Sequence, residues 1–336
     1  MRERVLITGG GGFIGSHLVK HQLELGNQVR AVDFHPGPLA QLAGNPNLEI
    51  VTGDLRDAGL LPGMLREVNT VYHLASAHLN TGLSAADYEA VNVHATRELI
   101  RQATEAGVQR FIHCSTNGVY GKQRQIPADE NTPCQPENIY ERTKLAGEQA
   151  ALQATRETGL SLVVIRPSWV YGPGCPRTAR LFRMVKKGRF VFFGDGQTLR
   201  HPIYIADAVR GFELSAAAPT ACGEIYLLAG AEIVSLNALV ERIASLLQVR
   251  LRAIHLPVAL GLAGGFVLQQ VFGIAGRQPP FSLRSLDFFM KDNAYNTQKA
   301  QQQLDFEPQV SLQAGLEMTA RWLEQPTFPG RIANGN

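Results

Sequence analysis

The sequence predicts an α/β fold in which a parallel sheet is covered by helices on both faces, with a smaller α/β unit towards the carboxyl terminus. Three observations carry this. Apolar runs of strand length alternate with stretches of helical periodicity through the first half of the chain. The first run opens on a cluster of glycines, which suits a sharp strand-to-helix turn and the interior of neither element. Beyond about residue 175 the alternation breaks down, which marks a second, smaller unit.

In chain order, "VLIT" at 5–8 is the first strand, and Phe13, Ile14, Leu18, Val19 and Leu23 recur at helical spacing until Gly26 closes the helix. Strands follow at 28–33, 48–52, 70–75, 110–115 and 161–167, with helices at about 56–67, 84–106 and 139–157. Such alternation places helices on both faces of a parallel sheet. Past residue 175, short strands such as "FVFFG" at 190–194 and "GEIYLLAG" at 223–230 mix with helices. Ligands of these sheets bind at the carboxyl edge, so the small unit is expected to pack there. The resulting division is 1–175, 176–328 with some segments returning to the sheet, and a tail at 329–336.

Composition narrows the function. A chain of 336 residues exceeds what one core usually supports, in keeping with two units. The formal net charge of +3 comes with no block of like charges, which argues against nucleic acid as a partner. Cys114, Cys134, Cys175 and Cys222 form no CxxC pair and read as free thiols of a reducing compartment. The histidines show no metal-ligand spacing, so no metal site is expected. The first strand begins almost at Met1, which leaves no room for a signal peptide and makes the cytoplasm the expected location.

Gly9, Gly12 and Gly15 stand at the spacing GxxGxxG between the first strand and its helix. Gly9 permits the tight turn, Gly12 lets the backbone approach a pyrophosphate, and Gly15 lets helix and strand pack closely. The helix amino end offers unpaired N–H donors and a partial positive charge. Asp33 ends the next strand, eighteen residues beyond Gly15, where a carboxylate accepts hydrogen bonds from the adenosine ribose. An acidic group there repels a 2'-phosphate, so the expected cofactor is NAD. In "YERTK", Tyr140 and Lys144 share a helix face, and an ammonium near a phenol favours the phenolate. Together they make a general acid/base. Thr116, at the end of the preceding strand, is placed to hydrogen-bond the substrate oxygen, or else only caps the strand end.

These motifs resemble the extended short-chain dehydrogenases/reductases, the NAD-dependent epimerase/dehydratase family. The resemblance runs through "TGGGGFIG" at 8–15, "GDLRD" at 53–57, "HLAS" at 73–76, "VNVHAT" at 91–96, "CSTNGVYG" at 114–121, "RPSWVYGPG" at 166–174 and "GDGQTLRHPIYIADAV" at 194–209. It implies a Rossmann-type doubly wound sheet, catalysis by Thr116, Tyr140 and Lys144, and a homodimer. It also implies that Phe13 and Ile14 line the cofactor turn, that Asp54 and Leu55 flank the adenine, that Ala75 lines the cofactor, and that Tyr140 and Lys144 hold the nicotinamide ribose. Asn92 is expected beside the cofactor, or as a helix-bending hydrogen bond with no catalytic part.

The same resemblance points to a nucleoside-diphosphate sugar as the small-molecule substrate, with Ser115 and Trp169 at the substrate and Arg200 on its diphosphate. Three departures favour instead an apolar secondary alcohol. Trp169 replaces the usual asparagine, the RxGD segment is blurred to "RSLD" at 284–287, and 256–276 carries no charge, as in members resembling 3β-hydroxysteroid dehydrogenases. That stretch is expected as buried core or lid, with a peripheral membrane face and a spanning helix as alternatives. Asn117 and Gly118 follow Thr116 where sugar dehydratases carry an Asp-Glu pair, so dehydration is not expected. A non-catalytic NAD sensor is a further alternative, disfavoured because Tyr140 and Lys144 are both present.

Overall fold

The computed structural model describes residues 3–78, 82–274 and 283–325. Its first half alternates as expected: β1 (Arg4–Thr8), α1 (Phe13–Glu24), β2 (Gln28–Asp33), β3 (Leu48–Thr52), α2 (Leu61–Leu65), β4 (Thr70–His73), α3 (Ala85–Glu89), α4 (Thr96–Glu105), β5 (Arg110–Cys114), α5 (Ile139–Thr158) and β6 (Leu162–Pro167). Then come β7 (Val170–Tyr171), α6 (Pro176–Lys186), β8 (Arg189–Phe193), β9 (Leu199–Arg200), β10 (Ile203–Tyr204), α7 (Ile205–Ala217), β11 (Ile225–Leu228), β12 (Val234–Ser235) and α8 (Leu236–Leu246). The chain closes with β13 (Arg252–Leu256), α9 (Val258–Ile274), α10 (Leu283–Met290), α11 (Gln298–Leu304) and α12 (Leu312–Glu324).

Seven parallel strands form the main sheet in the order β11-β6-β5-β4-β1-β2-β3. The strand order reverses between β1 and β4, and the crevice outside their carboxyl ends is where such sheets take a ligand. Strands β4, β5 and β6 are buried along their whole length, which is why they read as continuous apolar runs rather than alternating ones. One apolar cluster covers one face of the sheet and continues into β8 and α8, while a second lies beneath α2 and α4.

Two elements depart from expectation. The helix anticipated over 56–67 shrinks to Leu61–Leu65, with Pro62 in its first turn. The helix anticipated over 84–106 is interrupted by a turn of π-helix at Ala90–Ala95. Segment 225–228 is the part of the second unit that returns to the main sheet, as its edge strand. Among the described residues, no helix is long and apolar enough to cross a membrane.

Candidate active site

The glycine turn is shaped as its spacing implies. Gly9 has φ +71°, and a Cβ there would come within 2.7 Å of the Ala75 nitrogen. A Cβ on Gly15 would stand 2.1 Å from the Gly9 carbonyl oxygen, so only glycine lets α1 start this close to β1. Gly12 is the N-cap residue of α1 and supplies no side-chain cap, which leaves the first amides of Phe13, Ile14 and Gly15 facing the crevice end of the sheet. This cradle fits a pyrophosphate.

Asp33 ends β2 beside it. Its Oδ2 accepts a hydrogen bond from Gly11 N–H at 3.0 Å, and burial raises its pKa above the ordinary carboxylate value. A Cβ on Gly11 would meet the His35 carbonyl oxygen at 2.3 Å, so this fourth glycine, outside the GxxGxxG spacing, lets the turn close on Asp33. Asp54 and Leu55 follow β3 at the same edge. Asp54 is engaged by Arg56, whose guanidinium holds the carboxyl below its ordinary range. Leu55 is buried in the apolar cluster under α2, so its side chain belongs largely to the core.

Behind the cradle runs a buried polar chain that sequence reasoning missed. Ala75 N–H donates to Thr8 Oγ1 at 3.3 Å, and Thr8 Oγ1 lies 2.7 Å from His73 Nδ1. His73 Nε2 lies 2.9 Å from Thr96 Oγ1, which donates to the Asn92 carbonyl oxygen at 3.0 Å. Since Thr96 gives its proton to that carbonyl, His73 must carry its proton on Nε2 and accept from Thr8. Burial pushes His73 down to about 3, so it stays neutral.

Asn92 sits in the π turn, almost fully buried. Its Oδ1 accepts from Ala77 N–H at 2.8 Å, and its Nδ2 donates to Thr143 Oγ1 at 3.0 Å. The amide therefore ties the loop after β4 to α5. With both ends of its amide engaged by protein, Asn92 positions these two elements against each other. The extra residue of the π turn lets this amide reach α5.

The catalytic candidates converge at the start of α5 and the end of β5. Asn138 and Glu141 form a capping box that starts α5, so Tyr140 and Lys144 fall in its first two turns. Lys144 is buried and donates from Nζ to the Cys114 carbonyl oxygen at 2.6 Å, two residues before Thr116. Burial lowers the lysine pKa, opposed by the influence of Cys114 and Glu148. Thr116 caps a short 3-10 turn, accepting from Gly118 N–H at 3.1 Å. The ring of His78, also missed in the sequence, meets Tyr140 edge-on with centroids 4.6 Å apart.

The three substrate candidates divide. Ser115 donates to Glu148 Oε2 at 2.6 Å inside a buried cluster in which Glu148 also pairs with Arg166, and Arg166 donates to the Tyr120 hydroxyl at 2.7 Å. The Ser115 hydroxyl thus gives its proton to this ion pair. Trp169 is half-buried, packs edge-on against Phe288 at 5.8 Å, and keeps a buried indole N–H with no partner among the described residues. Arg200 is no surface arginine but 2% exposed. Its Nη1 donates to the carbonyl oxygens of Leu199 at 2.6 Å and Lys291 at 2.7 Å, Nη2 donates to that of Phe288, and the guanidinium lies 4.7 Å from the Phe288 ring centre. Burial lowers it to about 10, with Asp292 and Tyr295 opposing the shift and Arg177 adding to it. Of the "RSLD" segment, Leu286 is buried and Asp287 pairs with Lys291 at 3.0 Å, while Arg284 and Ser285 lie outside the described side chains.

A doubly wound sheet with a glycine turn at its switch point, an acid closing β2, and a Tyr-Lys pair on the helix after β5 defines the class: an extended short-chain dehydrogenase/reductase. Residues 5–229 match the model of the NAD dependent epimerase/dehydratase family, and the chain belongs to that family of NAD-dependent enzymes. It is 31% identical over 331 residues to a 3 beta-hydroxysteroid dehydrogenase/Delta 5-->4-isomerase of Mycobacterium tuberculosis, covering 93% of this chain and 88% of that protein. It is 26% identical to the N-acetyl-alpha-D-glucosaminyl-diphospho-ditrans,octacis-undecaprenol 4-epimerase of Escherichia coli O157:H7, covering 96% of each. Among solved structures, a UDP-glucuronic acid 4-epimerase of Bacillus cereus in complex with UDP-glucuronic acid and NAD superposes with a TM-score of 0.78 at 25% identity, covering 96% and 99% of the two chains.

Proposed function

We propose that this enzyme acts on a secondary alcohol or ketone carbon of a nucleoside-diphosphate sugar, as a 4-epimerase or dehydrogenase. When bound, NAD supplies the oxidant for that carbon. In this reading the glycine turn holds the pyrophosphate and Asp33 the adenosine ribose. Tyr140 takes the proton from the substrate hydroxyl, Lys144 favours the phenolate and holds the nicotinamide ribose, and Thr116 fixes the substrate oxygen. An epimerase would return the same hydrogen to the opposite face of the carbon.

One observation carries the substrate class. Arg200 is a buried cation whose donating N–H groups meet neutral carbonyl oxygens and whose Nε has no partner among the described residues. Asp292 favours its charge from a distance and Arg177 opposes it, and no carboxylate pairs with it directly among the described residues. A buried charge in that state favours an anion. The pyrophosphate of a nucleotide-sugar supplies one, and the epimerases among its relatives and neighbours act on sugars joined to diphosphates or bind UDP-sugars. A second reading, an apolar alcohol such as a sterol, is favoured by the Trp169–Phe288 contact and by the steroid dehydrogenase relative.

Thermal shift of the NAD-loaded enzyme with UDP-sugars, GDP-sugars and sterols separates the two, because selective binding stabilises the fold. With a nucleotide-sugar ligand, Arg200→Ala should raise the dissociation constant about thirtyfold or more, equivalent to about 2 kcal/mol, and Trp169→Ala should do less. If no nucleotide-sugar shifts the melting temperature and a sterol does, the apolar reading replaces this one, and Trp169→Ala becomes the damaging change. Cytoplasmic location and a homodimer belong to the same proposal. The first is supported by four free cysteines, and sedimentation of the purified chain tests the second.

A further inference from the structure

The burial expected for 256–276 is not what α9 shows. Its inward positions are glycines: Gly261 and Gly265 are buried, and a Cβ on Gly261 would meet Phe193 at 2.6 Å and Leu286 at 2.7 Å. Its large side chains face outward, with Leu260 and Val267 58% exposed, Phe266 56% and Leu262 43%. At about 100° per residue these four sweep roughly 160° of the helix surface. Val258–Ile274 contains no charged residue. A helix apolar all round is ordinarily buried, and a contiguous apolar face left in water marks a contact with something else. Among the described residues no helix is both long and apolar enough to cross a membrane, and the one-sided exposure of α9 suits a helix lying along a surface.

Charge selects that partner. α9 continues directly from β13, which pairs with β8, which in turn follows α6. Residues 158–194 and 242–286, which include α6, β8, β13 and α9, contain no aspartate or glutamate, and the acid nearest on α10, Asp287, is paired with Lys291. They expose Arg183, Lys186, Lys187, Arg189, Arg250 and Arg252, and Arg189 and Arg252 are direct neighbours in the strand register. Two copies of this chain meeting through α9 would bring cationic surfaces together, which is unfavourable. An anionic lipid surface attracts the same cations and accepts the apolar side chains.

We propose that the small unit docks on an anionic lipid bilayer, with α9 in the plane of the interface and Leu260, Leu262, Phe266 and Val267 at the acyl boundary. The inference does not depend on which substrate the enzyme takes.

Flotation of the full chain with vesicles tests it. The wild type should rise with vesicles of phosphatidylcholine containing about one-third phosphatidylglycerol, hardly at all with phosphatidylcholine alone, and less as salt is added. The double variant Leu260→Glu, Phe266→Glu should lower the bound fraction about tenfold or more while NAD affinity, read by titration, stays unchanged. Arg250→Gln with Arg252→Gln should weaken binding to the anionic vesicles and leave α9 untouched. Failure of the wild type to float overturns the proposal, as does undiminished flotation of Leu260→Glu, Phe266→Glu. A concentration-dependent dimer that this variant dissociates, with no vesicle binding, overturns it in favour of a second copy of the chain.

Discussion

At the scale of single residues, the site rests on few atoms, and two substitutions probe it. If Tyr140 moves the proton, Tyr140→Phe should lose about two to four orders of magnitude in turnover, the usual worth of a general acid/base, with NAD affinity nearly unchanged. Near wild-type turnover in that variant removes the assignment. Asp33 accepts from Gly11 N–H at Oδ2 and, at 3.5 Å, from His35 N–H at Oδ1, and each carboxylate oxygen keeps a further lone pair for a ribose hydroxyl. NAD should therefore bind at least about tenfold better than NADP, or about 1.4 kcal/mol, and Asp33→Ala should narrow the gap. Equal dissociation constants in a direct titration refute that role. Ser115 and Asn92 teach the opposite lesson. Both lie in the motifs that carry the family resemblance, yet their side chains meet Glu148, Ala77 and Thr143. Spacing along the chain gives a residue's place on an element but not which partner its side chain finds.

At the scale of elements, α5 is the part that must be placed most closely. It bears Tyr140 and Lys144 on its first turns and rests on the π turn through Gly147, where a Cβ would stand 2.2 Å from the Asn92 carbonyl oxygen. That neighbour is backbone and gives little. Gly147→Ala should therefore push α5 away, destabilising the protein by about 1–3 kcal/mol and lowering turnover as well. Urea denaturation and steady-state rates check both effects; an unchanged midpoint would show that the two helices are not in firm contact. The π turn was invisible in the sequence because the apolar periodicity of 84–106 continues through it. One extra residue shifts the phase by about 100°, but the six residues AVNVHA hold too few large apolar side chains for that slip to be read.

At the scale of the molecule, His73 in the core and the partly buried His17 stay neutral well below the ordinary histidine range. Burial pushes His73 to about 3 and His17, hydrogen-bonded at 2.9 Å to the Pro173 carbonyl oxygen, to about 4. Both folded values lie below the ordinary histidine value, so between them it is the unfolded chain that binds the proton. Stability must then fall as pH drops below about 6.5, and keep falling towards pH 4. At pH 5 each should cost about 2 kcal/mol relative to neutral pH. Urea midpoints at pH 7 and pH 5 measure this directly, and equal midpoints would mean that these rings are accessible to solvent protons in the folded state. The same scale hid the charge asymmetry. A net charge of +3 looks bland because the acids that offset the cations of 158–194 and 242–286 lie elsewhere in the chain.

The sequence alone determined the parallel sheet, the glycine turn with Asp33 and the Tyr140–Lys144 pair, because each rests on local spacing: strand and helix periodicity, one tight turn, one helical repeat of four. The edge position of Ile225–Leu228, the neutral His73 chain, the Glu148–Arg166 cluster behind Ser115 and the burial of Arg200 were decided only by the tertiary structure. Each joins residues far apart in the chain, and burial, which sets both their charge state and their free hydrogen-bonding atoms, exists only once those segments have packed together.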